Sequence, residues 1–315
     1  MENQIILNLQ NKEGIEKGIK ALLGENYTPF ITFLSKYLFD ESEKYDTPFN
    51  LSYLENNIDI NWESIDIKNL WLVNYHFTTR NNKEEIIENP IHHLRYLVNE
   101  ETSLKIFLKK HNIAFDVENQ LMRVEDRTYN ILDHGDDNNT PLFWIDTKLN
   151  TDPEVWAFAR VLDIGEYNND FPDYPEFIRN VADVLEDDTD FLDDWKSTYG
   201  KPYVIEFKEH LSKIKIYDDH PSSCDEDTMK KRLINILLTL LLSSLRSCSF
   251  VIFEDIFGEN DILKIATALN RLNDYNNDDS HDVLITSLLK GNDLEPENII
   301  KIWDYEEFQK RSPFE

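Results

Sequence analysis

The spacing of apolar side chains predicts helices and strands in no regular alternation. Ile19, Leu22 and Leu23 cluster at helical spacing, and Ile31, Leu34, Tyr37 and Leu38 do so again. Two helices are therefore expected near the N-terminus, meeting around Asn26 to Pro29, with Thr28 as cap and Pro29 at the first helical position. The run from Leu70 to Thr79 is aromatic and β-branched between polar flanks, which predicts a strand. Helical spacing follows, broken near Asn89 by Pro90, and a further helix from Glu101 buries Leu104, Phe107 and Leu108. Phe143 to Ile145 reads as a short strand. Thr151-Asp152-Pro153 reads as the cap of a helix running through residues 154–162, and Pro175 opens another helix. Lys201 to Tyr217 carries alternating strand material on both sides of His210.

Beyond an acidic loop, Asp218 to Asp227, the chain predicts a core helix over Leu233 to Leu245 and an apolar strand over Ser249 to Ile256. No repeat is evident. Strands and helices without a βαβ rhythm give an α+β class, mixed helices and short strands. Three regions are expected: a helical one over residues 1–69, an α+β one over 70–217, and a second α+β one over 218–315 packed on the same core.

Composition changes the picture in one respect. Among 315 residues, 61 acidic side chains face 32 basic ones, a formal charge of −29. Self-repulsion on that scale favours solubility and opposes broad contact with nucleic acid or anionic membranes, while favouring a basic partner. With 18 Phe, 14 Tyr and 6 Trp the chain still has ample material for a core. Cys224 and Cys248 are too few for a disulfide framework, and the apolar run ending at Leu245 is too short to span a bilayer. No leader is recognised at the N-terminus, and a cytoplasmic location is expected. The abundance of Asn, Ile, Lys and Asp is typical of AT-rich genomes such as those of low-GC bacteria and their phages.

Phosphate-binding loops need closely spaced glycines, and none of the eight glycines is so placed. Zinc, serine-hydrolase and EF-hand patterns are absent or fail on position. His92 and His93 are adjacent, so on a helix they would diverge by about 100° and not share a metal. Cys224 near His220 sits in an acidic loop, which raises a thiol pKa and argues against a nucleophile.

Tyr75-His76-Phe77-Thr78-Thr79, followed by a short helical stretch, resembles the opening of the ADP-ribosyltransferase fold. That family begins with a strand carrying His-x-Thr, whose His and Thr hold the ribose of NAD. Lys201 to Lys208 is similar to a later strand of that fold, and Asp282 to Ile302 to its closing strand and the segment after it. The resemblance implies NAD as cofactor, ribose contacts from His76 and Thr78, and Asp282 where the family has its catalytic glutamate. Two departures stand out: Asn89-Pro90 replaces a Gly-Ile turn, and Asp282 is one methylene shorter than glutamate.

In overall profile the chain is similar to phage anti-defence proteins, the Gabija anti-defence class among them, which block a host nuclease complex by binding it. Two readings stand. The first is a non-catalytic acidic inhibitor without cofactor, a homo-oligomer that binds a basic, nucleic-acid-handling bacterial protein. Its contact residues would be Asp218, Asp219, Asp225, Glu226, Asp227, Asp278 and Asp279. The alternative is an ADP-ribosyltransferase that uses NAD through His76, Thr78 and Asp282 to modify a host target.

Overall fold

A computed structural model describes residues 4–10, 12–29, 32, 59–88, 91–135, 140–151, 154–161, 172–185, 189–216, 228–231, 233, 283–289 and 291–311. It is an α+β fold organised around one long strand. Strand β1 (Ile5–Leu7) leads into helix α1 (Lys12–Leu23), which gives way to a 3-10 turn at Gly24–Asn26. The junction comes earlier than the expected Asn26 to Pro29: residues 27–29 are already helical, so Thr28 stands inside that helix and is not its cap. Gly18 lets α1 lie close to β1. A Cβ there would stand 2.2 Å from Leu7 Cδ2, and that leucine is fully buried.

Strand β2 (Leu70–Arg80) is followed by helices α2 (Lys83–Glu88), α3 (Leu94–Asn99) and α4 (Ser103–Lys110). Thr102 caps α4 by accepting from the Lys105 amide at 3.2 Å, and Leu104, Phe107 and Leu108 are its buried residues, as their spacing predicts. Asn89 and Pro90, where the helix break is expected, lie outside the described residues. A small antiparallel sheet follows from β3 (Ile113–Asp116), β4 (Leu121–Val124) and β5 (Arg127–Asn130).

Two expectations are corrected next. Phe143 to Ile145 is helical, within α5 (Pro141–Asp146). Thr140 accepts from the Phe143 amide at 3.2 Å and Pro141 occupies the first turn, the same cap chemistry that marks other helices of this chain. Trp156–Val161 is a strand, β6, not a helix. Every residue from Ala157 to Val161 is buried, so the segment presents no polar face. It lies between two other strands, where continuous burial suits a β-strand covered on both faces.

Helices α6 (Glu176–Leu185) and α7 (Thr189–Tyr199), strands β7 (Lys201–His210), β8 (Ile214–Ile216), β9 (Val283–Leu288) and β10 (Ile299–Asp304), and helix α8 (Tyr305–Gln309) follow in chain order. The large sheet runs β10-β7-β2-β6-β9-β8, with β1 also pairing β2. Its pairs are antiparallel except β1 with β2. Strand β7 matches β2 along its length, from Trp71↔His210 to Arg80↔Lys201.

Alternation along β2 gives the sheet two faces. Leu70 and Leu72 join Ile205, Phe207, Leu284 and Leu288 in the main core. Val73 and Tyr75 point the other way, into a cluster closed by Tyr305 and Phe308 of α8. A separate core unites α3, α4, α6 and α7 with the small sheet through Val98, Phe107, Met122, Phe177 and Trp195. The predicted Leu233–Leu245 helix, the Ser249–Ile256 strand and both cysteines lie outside the described residues, save Leu233 itself, which is buried in the main core. Among the described residues no helix is long and apolar enough to cross a membrane.

Candidate functional site

The second half of β2 leaves the main core and borders a cavity. Even-numbered positions share one face of a strand, so His76, Thr78 and Arg80 follow Leu70 and Leu72 along the same row. Residues of helices α3, α4, α6 and α7 complete the lining, and the space enclosed measures about 360 Å³. That lies toward the low end of the ~300–1,000 Å³ typical of small-molecule sites. Trp156, Phe177, Trp195 and Tyr199 supply aromatic wall, and Leu94, Leu97 and Leu104 supply aliphatic wall.

His76 is held in one tautomer. Its Nδ1 lies 2.7 Å from the Trp156 carbonyl oxygen, which can only accept, so Nδ1 carries the proton. Nε2 is left as an acceptor beside the cavity. Burial pushes the His76 pKa down from 6.5 to about 4, the Arg80 charge pushes the same way, and the bond to Trp156 opposes them. At neutral pH the ring is therefore uncharged and serves as a hydrogen-bonding group, not as an acid.

Thr78 Oγ1 accepts from Arg80 Nη1 at 2.7 Å, which leaves its own O–H free to donate. Arg80 Nη1 also donates to the Thr79 carbonyl at 2.8 Å. Burial lowers the Arg80 pKa and Glu85 opposes that fall, but a guanidinium keeps its charge in proteins.

The next strand position, Thr79, ties β2 to the helical layer. Its Oγ1 accepts from Trp195 Nε1 at 3.2 Å, and both side chains are buried. Thr79→Val keeps the shape and removes the acceptor, leaving a buried indole donor without its partner. A loss of about 1–3 kcal/mol in chemical denaturation is expected, with a shift in the emission of Trp195.

At another part of the wall, the Glu154 carboxylate pairs with Lys215 Nζ and accepts from Ser287 Oγ at 3.1 Å. His92, also on the wall, bonds Asp293 at 2.8 Å and stacks on Tyr96, while His93 caps α3. The two histidines thus have separate duties. Among the described residues no group of three or more His, Cys, Asp or Glu is placed to hold a metal ion.

The structure brings together His76 and Thr78 from the expected site. Asp282, and the expected partner contacts Asp218, Asp219, Asp225, Glu226, Asp227, Asp278 and Asp279, lie outside the described residues. Arg80, Trp156, Glu154 and Trp195 were missed by sequence reasoning. Arg80 was within reach, because it continues the parity of His76 and Thr78 on a strand that was expected. Comparison of the chain with protein-family models, curated proteins and solved structures finds no match.

Proposed function

We propose that this chain is a ligand-binding protein that works through the cavity beside β2, with a nucleotide-class molecule as its ligand. The observation that carries this reading is the convergence of His76, Thr78 and Arg80 on one partly aromatic cavity. A neutral acceptor, a hydroxyl donor and a fixed cation within an apolar wall are the few placed polar groups that orient a small ligand. NAD is the first ligand to test, because the likeness of Tyr75 to Thr79 to the ADP-ribosyltransferase opening assigns a ribose to His76 and Thr78. The cavity volume suits one nucleoside end of such a molecule, with the remainder outside. ADP-ribosyl transfer is the reaction to assay once binding is established.

Calorimetry of the full chain with NAD is expected to give a saturable isotherm. His76→Ala should weaken it about tenfold or more, as loss of one good hydrogen bond does in a desolvated site. Absence of heat at millimolar NAD removes NAD from the reading.

A second reading is favoured by the excess of 61 acidic over 32 basic side chains. In it the protein is an acidic inhibitor, of the phage anti-defence kind, that occupies a basic, nucleic-acid-handling bacterial protein. Affinity capture from bacterial lysate with elution by rising salt tests this directly. A stoichiometric basic partner released by salt supports it, and an empty eluate at low salt removes it.

A further inference from the structure

Among the described residues, the His, Lys, Arg, Asp and Glu side chains on the cavity wall have an ionisable partner with the exceptions of His76, which is neutral, and Arg80. Glu154 is met by Lys215 and Ser287, and Lys148 by Glu176 at 2.9 Å. His92 is met by Asp293 at 2.8 Å. Among the described residues Arg80 has only neutral acceptors, Thr78 Oγ1 and the Thr79 carbonyl, and both take hydrogens from the same nitrogen, Nη1. Among the described residues no carboxylate comes within 4.0 Å of its guanidinium nitrogens. Glu85 is near enough for its field to reach Arg80, yet its Oε1 accepts from Ser103 Oγ at 2.6 Å. Nε and Nη2 have no described acceptor.

A structural strut for the end of β2 would account for Nη1 and for nothing else. A partly desolvated guanidinium with unused donors is costly unless an oxyanion joins it, and its planar fork matches carboxylate and phosphate oxygens. The setting sharpens the point. In a chain with 61 acidic side chains, a carboxylate partner for Arg80 would be easy to supply, and the described residues of the wall do not supply one.

We propose that Arg80 is the anchor for an anionic group, phosphate or carboxylate, on a ligand whose planar ring lies among Trp156, Phe177 and Trp195. This rests on the reading of the cavity as a ligand site, and it adds the charge class of the ligand and the residue that selects it.

The test uses two matched pairs of probes on the full chain, AMP against adenosine and nicotinate against nicotinamide, by calorimetry. Each pair shares a ring and differs in the anion. The anionic member of at least one pair is expected to bind about 10- to 100-fold more tightly, the range of a charge-assisted hydrogen bond. Arg80→Met should erase that preference, so that the anionic and neutral members of the pair bind alike. Arg80→Lys, which keeps the charge without the fork, should reduce it, and this variant carries the test if the methionine variant does not fold. A preference confined to AMP assigns phosphate, and one confined to nicotinate assigns carboxylate. Equal affinity within both pairs, or a preference that survives in Arg80→Met, overturns the anchor and leaves the cavity reading intact. Absence of binding by all four probes overturns both.

Discussion

Replacing Glu206 by leucine is expected to cost about 3–5 kcal/mol, the range for removing one partner of a largely buried ion pair. Glu206 stands on β7, on the face of the sheet opposite the cavity. Its Oε2 accepts from Trp303 Nε1 at 2.8 Å and lies 3.9 Å from Arg311 Nη1. Its Oε1 lies 3.4 Å from the Tyr75 hydroxyl. The Arg311 guanidinium is surrounded by rings, 4.5 Å from the centre of Phe308 and 5.1 Å from those of Tyr75 and Trp303.

Cation–π attraction contributes there, but among the described residues only the Glu206 carboxylate balances the charge. Removing it strands a cation among aromatic rings and orphans the Trp303 donor at once. Burial and the Glu206 charge push the Tyr75 hydroxyl up to about 12, so it stays protonated and cannot take over as the anion. The paired variant Glu206→Leu/Arg311→Leu should recover part of the loss, since the stranded charge goes with it. Urea denaturation of the single and double variants measures both quantities. A single-variant loss below about 1 kcal/mol, or no recovery in the double, contradicts this account of the clamp. The consequence reaches the cavity, because Tyr75 and His76 are neighbours on the same strand.

Mild acid is expected to weaken the fold through His76. Its folded pKa, about 4, lies below the ordinary 6.5, so between these values the unfolded chain binds the extra proton. Stability from this group is therefore complete above pH 6.5 and is lost as pH falls toward 4. The shift corresponds to about 3 kcal/mol in full, of which about 2 kcal/mol is lost between pH 7 and 5. The stability difference between wild type and His76→Gln should shrink by that amount over the same interval. Carboxylates titrate in both proteins and cancel in the difference. A constant difference from pH 7 to 5 means that His76 is not held neutral as described.

Much of the fold was legible wherever one local signal dominated. Leu70 to Thr79 is a strand because β-branched and aromatic residues crowd it, and α4 buries the three residues that its spacing marks. Trp156–Val161 is a strand against its local cap signal at Pro153, because β2 and β9 pair with its two edges and separate core clusters bury its two faces, all contacts distant in sequence. Sheet order likewise rests on partners far apart in sequence, such as Phe158 with Ile285. At the site, His76 and Thr78 could be found from the strand motif alone. Trp156 and Trp195 could not, since only the folded chain places them against it.

The most direct test of the cavity as the working site is to follow the six tryptophan indole N–H signals by NMR as NAD, AMP and nicotinate are added in turn to the full chain. Trp156 and Trp195 line the cavity, while Trp62, Trp71, Trp144 and Trp303 do not. The account predicts saturable shifts of the Trp156 and Trp195 signals with at least one of these ligands, the other four remaining in place. Unchanged spectra with all three, or shifts confined to tryptophans away from the cavity, would contradict it.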